Sequence, residues 1–353
     1  MLASSKTALC AGFVVAALAS PLTAQTPAGI PAGEPARFLQ KYIGLSAGEV
    51  ESARKGTVVT KVLPTTTNDE VALFGIVAVD VPREEVVKRV RDVQSFLRTP
   101  ERSAFGVFAS PAAPTDMNAF VADQGDLDAI KGCKPGDCDV KMPVSNIEEF
   151  RSSIDWSSAP AARSKVETTV RQRSAGYVNS YRKLGTAGML SYGDQKTVGK
   201  TGDIFTTLLA ESPYLFDYVS PFHKYLTTYP ATPLPDVTDA IYWANDKMGS
   251  MRPILSLNHL SVYSPPTSSL TLISNKQLYA SHYFLGAFTL TTVLDRPDAA
   301  DGKGVYYLVV ERFRFDHLPS GGLLNIRGRV IGKMHDALKA DLAQRKTSLE
   351  RKS

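Results

Sequence analysis

The stretch from Pro253 onward constrains the fold most. Four β-rich runs, PILSLNHLSVYSP, LTLISNKQLYASHYF, AFTLTTVLD and VYYLVVERFRFDHL, follow one another, several of them separated by turn clusters such as SPPTSS and DRPDAADGKG. Connections this short suit antiparallel neighbours, because a parallel return needs a crossover of a dozen residues or more. A Gly321–Gly322 pair then leads into a helix predicted over about Leu323 to Glu350. Ile326, Val330, Met334, Leu338 and Leu342 recur along it at spacings of four. An apolar stripe on so long a helix must lie on something large, and an antiparallel sheet is the available partner. The fold class is therefore α+β.

The chain upstream fits the same plan. TVVTKVLP (57–64) and EVALFGIVAVDVP (70–82), separated by TTTND, read as an antiparallel hairpin. Pro82 opens REEVVKRVRDVQSFL, whose valines recur at helical spacing and whose first turn is acidic. A short helix before the hairpin starts at Ser46, with Glu49 three residues on as a capping box, and ends before Gly56. AFGVFAS (104–110) is a short strand. From 111 to 252 the pattern is read as mainly helical, with a long segment from about Ala159 to Ser191 marked by Val166, Val170, Tyr177, Tyr181 and Leu184.

With 43% hydrophobic and 21% charged residues, the 353-residue chain can bury a large core. The net charge of +5 is small for this length, and no interleaving of basic and aromatic residues argues for nucleic acid. The basic tail RKTSLERKS reads as a helix end, with transient contact to an anionic membrane surface as the other reading. At the N-terminus, Lys6 precedes ALCAGFVVAALA and SPLTAQ, the pattern of a secretory signal peptide over 1–24, cleaved after Ala24 or alternatively Ala19. Leu9 before Cys10 does not fit a lipoprotein cleavage site. An arm and short helices fill 25–56, and the expected location is periplasmic or secreted. Cleavage leaves Cys133 and Cys138, which the Pro135–Gly136 turn brings together. A local disulfide is expected there.

Candidate chemistry concentrates in SNKQLYASHYF (274–284). As a plain strand it puts Lys276, Leu278, Ala280, His282 and Phe284 on one face, and Gln277, Tyr279, Ser281 and Tyr283 on the other. His259 lies on the preceding run. Arg312 and Arg314 alternate with Phe313 and Phe315, so both guanidinium groups share a side, either as a clamp for an anionic head group or on a solvated face. The five histidines show no metal-ligating spacing, no acidic cluster accompanies them, and no phosphate-binding loop or Gly-x-Ser-x-Gly elbow occurs. No cofactor or metal is expected.

The stretch GTVVTKVLP…EVALFGIVAVDVPREEVVKRVRDV, together with the ending from KQLYASHY to the closing helix, resembles the START and polyketide-cyclase-like (helix-grip) superfamily. The likeness covers roughly 57–110 and 253–350. It implies one domain over 57–350, a curved antiparallel sheet gripping the last helix, and a large helical insertion at about 111–252 as an elaboration or lid. It also implies an apolar cavity between sheet and helix that binds a hydrophobic small molecule or lipid. His259, Lys276, Tyr279, His282, Tyr283 and Arg312 are the candidate polar contacts of that cavity, the plainer reading being that His259, Lys276 and the tyrosines only satisfy hydrogen bonds within a wide sheet. Two alternatives stand beside a carrier. One is a cyclase- or hydrolase-like enzyme using the His259, Lys276, Tyr279 and His282 group. The other is an envelope interaction module.

Overall fold

The computed structural model describes residues 38–99, 101–247, 251–296, 299, 303–319 and 325–351. The expected signal segment with its expected cleavage sites, Cys10, most of the Pro-rich arm and the Gly321–Gly322 pair lie outside them. Eight strands form one antiparallel sheet: β1 (Val59–Leu63), β2 (Glu70–Val79), β3 (Arg102–Val107), β4 (Val237–Asp246), β5 (Ile254–Tyr263), β6 (Leu270–Ala280), β7 (Phe284–Asp295) and β8 (Val305–Phe315). Their spatial order is β1-β2-β8-β7-β6-β5-β4-β3, so β4 to β8 form a meander whose last strand lies against β2. The helices are α1 (Ala47–Arg54), α2 (Arg83–Arg91), α3 (Val93–Phe96), α4 (Gln124–Gly132), α5 (Val144–Ser153), α6 (Ala159–Leu184), α7 (Thr201–Ala210), α8 (Pro213–Thr228) and α9 (Ile326–Glu350).

Local signals act where they were expected. Ser46 caps α1 and accepts from the Glu49 backbone N–H while the Glu49 carboxylate accepts from Ser46, completing the capping box. The β1–β2 hairpin forms, with Val59 opposite Ile76 and Leu63 opposite Ala72. Cys133 and Cys138 are bonded to each other. One expectation fails: β4 lies within the stretch read as mainly helical. Its sequence VTDAIYWAND alternates Ile241 and Trp243 on one side with Tyr242 and Ala244 on the other, and pairing with β5 and β3 makes it a strand.

Both faces of the sheet are covered, which explains why all ten residues of β2 are buried and why its sequence is almost continuously apolar. Val71, Leu73, Val77 and Val79 face Leu338 and Leu342 of α9 and Val86 and Val90 of α2; this is the front face. On the back face, Ala72, Phe74, Ile76 and Ala78 pack against residues 38–45, α7 and α8. Farther along the back, Ile241, Trp243, Leu255, Leu257 and Leu278 pack against the segment that runs from Phe108 through α6. The chain that leaves the sheet after β3 and returns at β4 therefore covers the face opposite α9.

α9 meets the sheet over β1 and β2. A Cβ at Gly75 would run into the side chains of Leu342 and Leu338, so the missing side chain sets how closely the helix approaches. The predicted stripe does not stay on one face. Steps of four advance about 400° at roughly 100° per residue, so the row precesses by about 40° per step. Leu338 and Leu342 are accordingly buried, Val330 and Met334 are half-buried, and Ile326 is exposed. Leu342→Ala is expected to lower the free energy of urea unfolding by about 2–5 kcal/mol, and Ile326→Ala by less than about 0.5 kcal/mol. Equal losses at the two positions would show that the helix seats along its whole stripe.

Candidate functional site

The stretch SNKQLYASHYF forms most of β6 and the turn that follows it. Between Leu257 and Asn258 of β5 the register shifts, so that Leu257 faces Tyr279 while Asn258 faces Gln277. Leu278 is the extra residue of a β-bulge. The simple alternation ends there: Leu278 and Tyr279 both pack on the back face, and Ala280 returns to the front. Lys276 faces back and Gln277 front. Ser281, His282 and Tyr283 make the turn into β7. Tyr283 takes a left-handed backbone (φ 63°), as the last residue of a three-residue hairpin loop commonly does.

The candidate side chains consequently fall into separate places. His259 and Lys276 are directly opposite each other across β5 and β6, on the back face beneath α6. Tyr279 donates its O–H to the Lys141 carbonyl at 2.8 Å. His282 bonds Asp126 in the first turn of α4 through Nε2 at 2.8 Å. Ser281 N–H meets Leu255, so His259 is four residues, about 13 Å, farther along β5 from the His282 turn. The four side chains of the enzymatic alternative do not converge. Tyr283 accepts from the Arg252 N–H at 3.3 Å. Arg312, on the back face, is buried and already engaged: it donates to Glu70 at 2.6 Å and to the Glu211 carboxylate at 3.1 Å, while Arg314 holds the other Glu70 oxygen at 3.1 Å. Its clamp closes on carboxylates of the chain itself. His259, Lys276, Tyr279 and Arg312 therefore face away from α9 and do not line a space between α9 and the sheet.

The back-face group has its own order. His259 Nε2 lies 2.9 Å from Asp239 Oδ1, and its Nδ1 lies 2.9 Å from the Tyr181 hydroxyl. Tyr225 O–H also reaches Asp239, at 2.6 Å. The tautomer that satisfies both contacts carries its proton on Nε2, donates to Asp239 and accepts from Tyr181. Burial works to raise the Asp239 carboxyl, but the hydrogen bonds from His259 and Tyr225 hold it below its usual range. Lys276 donates to Thr186 Oγ1 at 3.0 Å and lies over the Phe205 ring at 3.7 Å, with no carboxylate paired to it among the described residues. Burial alone pushes its amine down to about 7. The nearby void lined by Phe38, Phe74, Tyr214 and Leu308 measures about 20 Å³, room for about one water. These polar groups tie α6 and its neighbours to the sheet.

The front face differs. In the middle of an apolar surround, Asn275, Thr289 and Glu311 stand in one rung across β6, β7 and β8, and Gln277 is one rung on. All four are half-buried. Phe96, Phe105, Phe313 and Met334 are half-buried around them in the same apolar cluster. Tyr242 donates to Asn275 Oδ1 at 3.2 Å, and burial raises its hydroxyl to about 12. Gln277 Oε1 is buried without a hydrogen-bond partner. Glu311 makes no side-chain hydrogen bond or ion pair among the described residues. Burial, then Asp341, raise its carboxyl to about 7, while Arg345 works the other way. Arg345 itself bonds Asp341 at 2.6 Å and lies over the Phe96 ring at 5.4 Å. α9 thus brings Asp341 and Arg345 towards this rung, and Arg345 over Phe96 joins α9 to α3. Sequence reasoning singled out the stretch that holds Asn275 and Gln277 without choosing them as site residues, and it missed Thr289 and Glu311, although Glu311 is a lone acid inside the eleven-residue strand VYYLVVERFRF.

Among the described residues no group of three or more His, Cys, Asp or Glu side chains is placed to hold a metal ion, and no helix is long and apolar enough to cross a membrane. No known protein family, curated protein or solved structure matches the chain.

Lys276 makes a sharp pH test. Its folded pKa lies below the unfolded value near 10.5, so the unfolded chain binds more protons between about 7 and 10.5 and stability rises with pH across that window. Lys276→Met is expected to remove a rise of about 2–4 kcal/mol between pH 7 and 10 in urea titrations. An unchanged slope would mean that the amine is not sealed from water.

Proposed function

We propose that the protein binds and carries a small molecule with a largely apolar body, held on the front face between β6–β8 and α9. One observation carries the reading: a strip of half-buried polar side chains, Asn275, Gln277, Thr289 and Glu311, lies in an apolar surround with its hydrogen-bonding capacity largely unused. Ligand sites combine a mostly apolar lining with a few such groups, whereas a face packed only for stability pairs its polar atoms. The strand order, with the hairpin strand β2 beside the last strand and the closing helix on the front, supports membership of the helix-grip, START-like architecture. In that reading the segment between β3 and β4 is the helical insertion, and it stiffens the floor from behind rather than acting as a lid. The local disulfide suits an exported carrier, periplasmic or secreted, released by removal of the N-terminal signal.

The reading is tested with protein stripped of lipid and titrated with N-phenyl-1-naphthylamine, a neutral apolar fluorophore. Saturable uptake is expected. Thr289→Phe, which fills the floor, is expected to weaken uptake about tenfold or more, and Lys276→Met on the opposite face to leave it unchanged. Uptake that does not saturate, or that ignores Thr289→Phe, would rule out a front-face site.

A further inference from the structure

We propose that the polar end of the bound molecule is a hydrogen-bond donor, a hydroxyl or a protonated amine, and that Glu311 receives it. The assignment rests on the carrier reading above and names the ligand class for the same site. It starts from what the floor of the groove lacks. The Glu311 carboxylate projects from the central rung of the sheet, between Thr289 on β7 and Leu73 on β2, and neither neighbour gives it a charge partner. The nearest cation, Arg345, turns its Nε to Asp341 at 2.6 Å. Two carboxylates therefore share one guanidinium. Gln277 Oε1 adds a second acceptor without a donor, while Asn275 Oδ1 already accepts from Tyr242.

Charge and hydrogen bonding point the same way. An ionised carboxylate only accepts, so the groups left open in the groove call for a donor. An anionic head group placed there would meet Glu311 and Asp341 against the one positive charge of Arg345, and desolvation enlarges that repulsion. A protonated amine restores charge balance, and a hydroxyl satisfies Glu311 without adding charge. The partly open position of Glu311 gives access that the sealed Lys276 on the other face does not have. The titratable groups facing Glu311 are Asp341 and Arg345 from α9, with the Tyr307 ring near Arg345 on the same strand. Protonation of Glu311 near pH 7 removes its capacity to pair with an amine, whereas an alcohol keeps a partner.

Displacement of N-phenyl-1-naphthylamine by dodecylamine, dodecanol and dodecanoate, matched in chain length, tests the assignment. Dodecylamine and dodecanol are expected to displace the probe at concentrations about tenfold below that of dodecanoate. Preference for the amine is expected to fall about tenfold between about pH 8 and pH 6, while dodecanol changes little. Glu311→Gln is expected to remove the amine preference and its pH dependence while the probe still binds, and Glu311→Lys to turn the preference toward dodecanoate. Circular dichroism of both variants checks that they fold. Dodecanoate binding as tightly as the amine to the wild-type protein, or an amine preference that survives Glu311→Gln, overturns the assignment and leaves the groove standing. A wild-type protein that does not take up the probe overturns the groove and the assignment with it.

Discussion

The front face depends on one close approach. With no side chain at Gly75, the backbone of β2 admits Leu342 and Leu338, and α9 settles over β1 and β2 instead of crossing the middle of the sheet. α2 packs on the front of β6 and β7, where Arg83 bonds the Leu270 carbonyl and the Asp295 carboxylate. Because α9 precesses off its own apolar stripe, only its second half is fully seated. Asn275, Gln277, Thr289 and Glu311 on the front of β6 to β8 stay half-buried. A bulkier residue at position 75 would meet the side chains of Leu342 and Leu338 and push the helix away.

The back face obeys a different rule. The segment between β3 and β4, together with α7 and α8, closes over the sheet and is tied to it by buried hydrogen bonds, although Tyr214 OH and Ser274 Oγ are buried without a partner. Asp239, His259 and Tyr181 form one chain of hydrogen bonds; Arg312, Glu70 and Glu211 form another. Buried pairs of this kind add little net stability, but breaking one leaves an uncompensated charge. Their effect is to fix how the covering helices sit. In the proposed carrier such a rigid backing holds the polar groups of the opposite face at a constant spacing.

Much of this architecture was legible in the chain, and the exceptions have physical causes. The hairpin, the capping box, the disulfide and the C-terminal meander rest on local signals, namely turn residues, period-two alternation and short spacing. Strand β4 was missed because its neighbourhood is rich in Pro and aromatics, and pairing partners on both sides make the strand. The division of SNKQLYASHYF between faces was beyond local reading. One extra residue, Leu278, resets the alternation, and that bulge exists only relative to the register of β5. Polar residues of that stretch are divided between the faces, Lys276 and Tyr279 on the back and Asn275 and Gln277 on the front, where the acid of VYYLVVERFRF joins them.

Lys276 and Glu311 show how burial separates stability from recognition. Each is an ionisable group without a close counter-ion, and in each burial shifts the proton equilibrium toward the neutral form. Lys276 is closed in by Phe205, Tyr181 and Thr186, so the cost of its charge falls on the folded state alone and appears as a slope of stability against pH. Glu311 is half-buried, and in the proposed carrier it stands beside the bound molecule. There the same cost can be relieved by a partner from outside, which converts an unfavourable burial into selectivity for whatever supplies the missing donor.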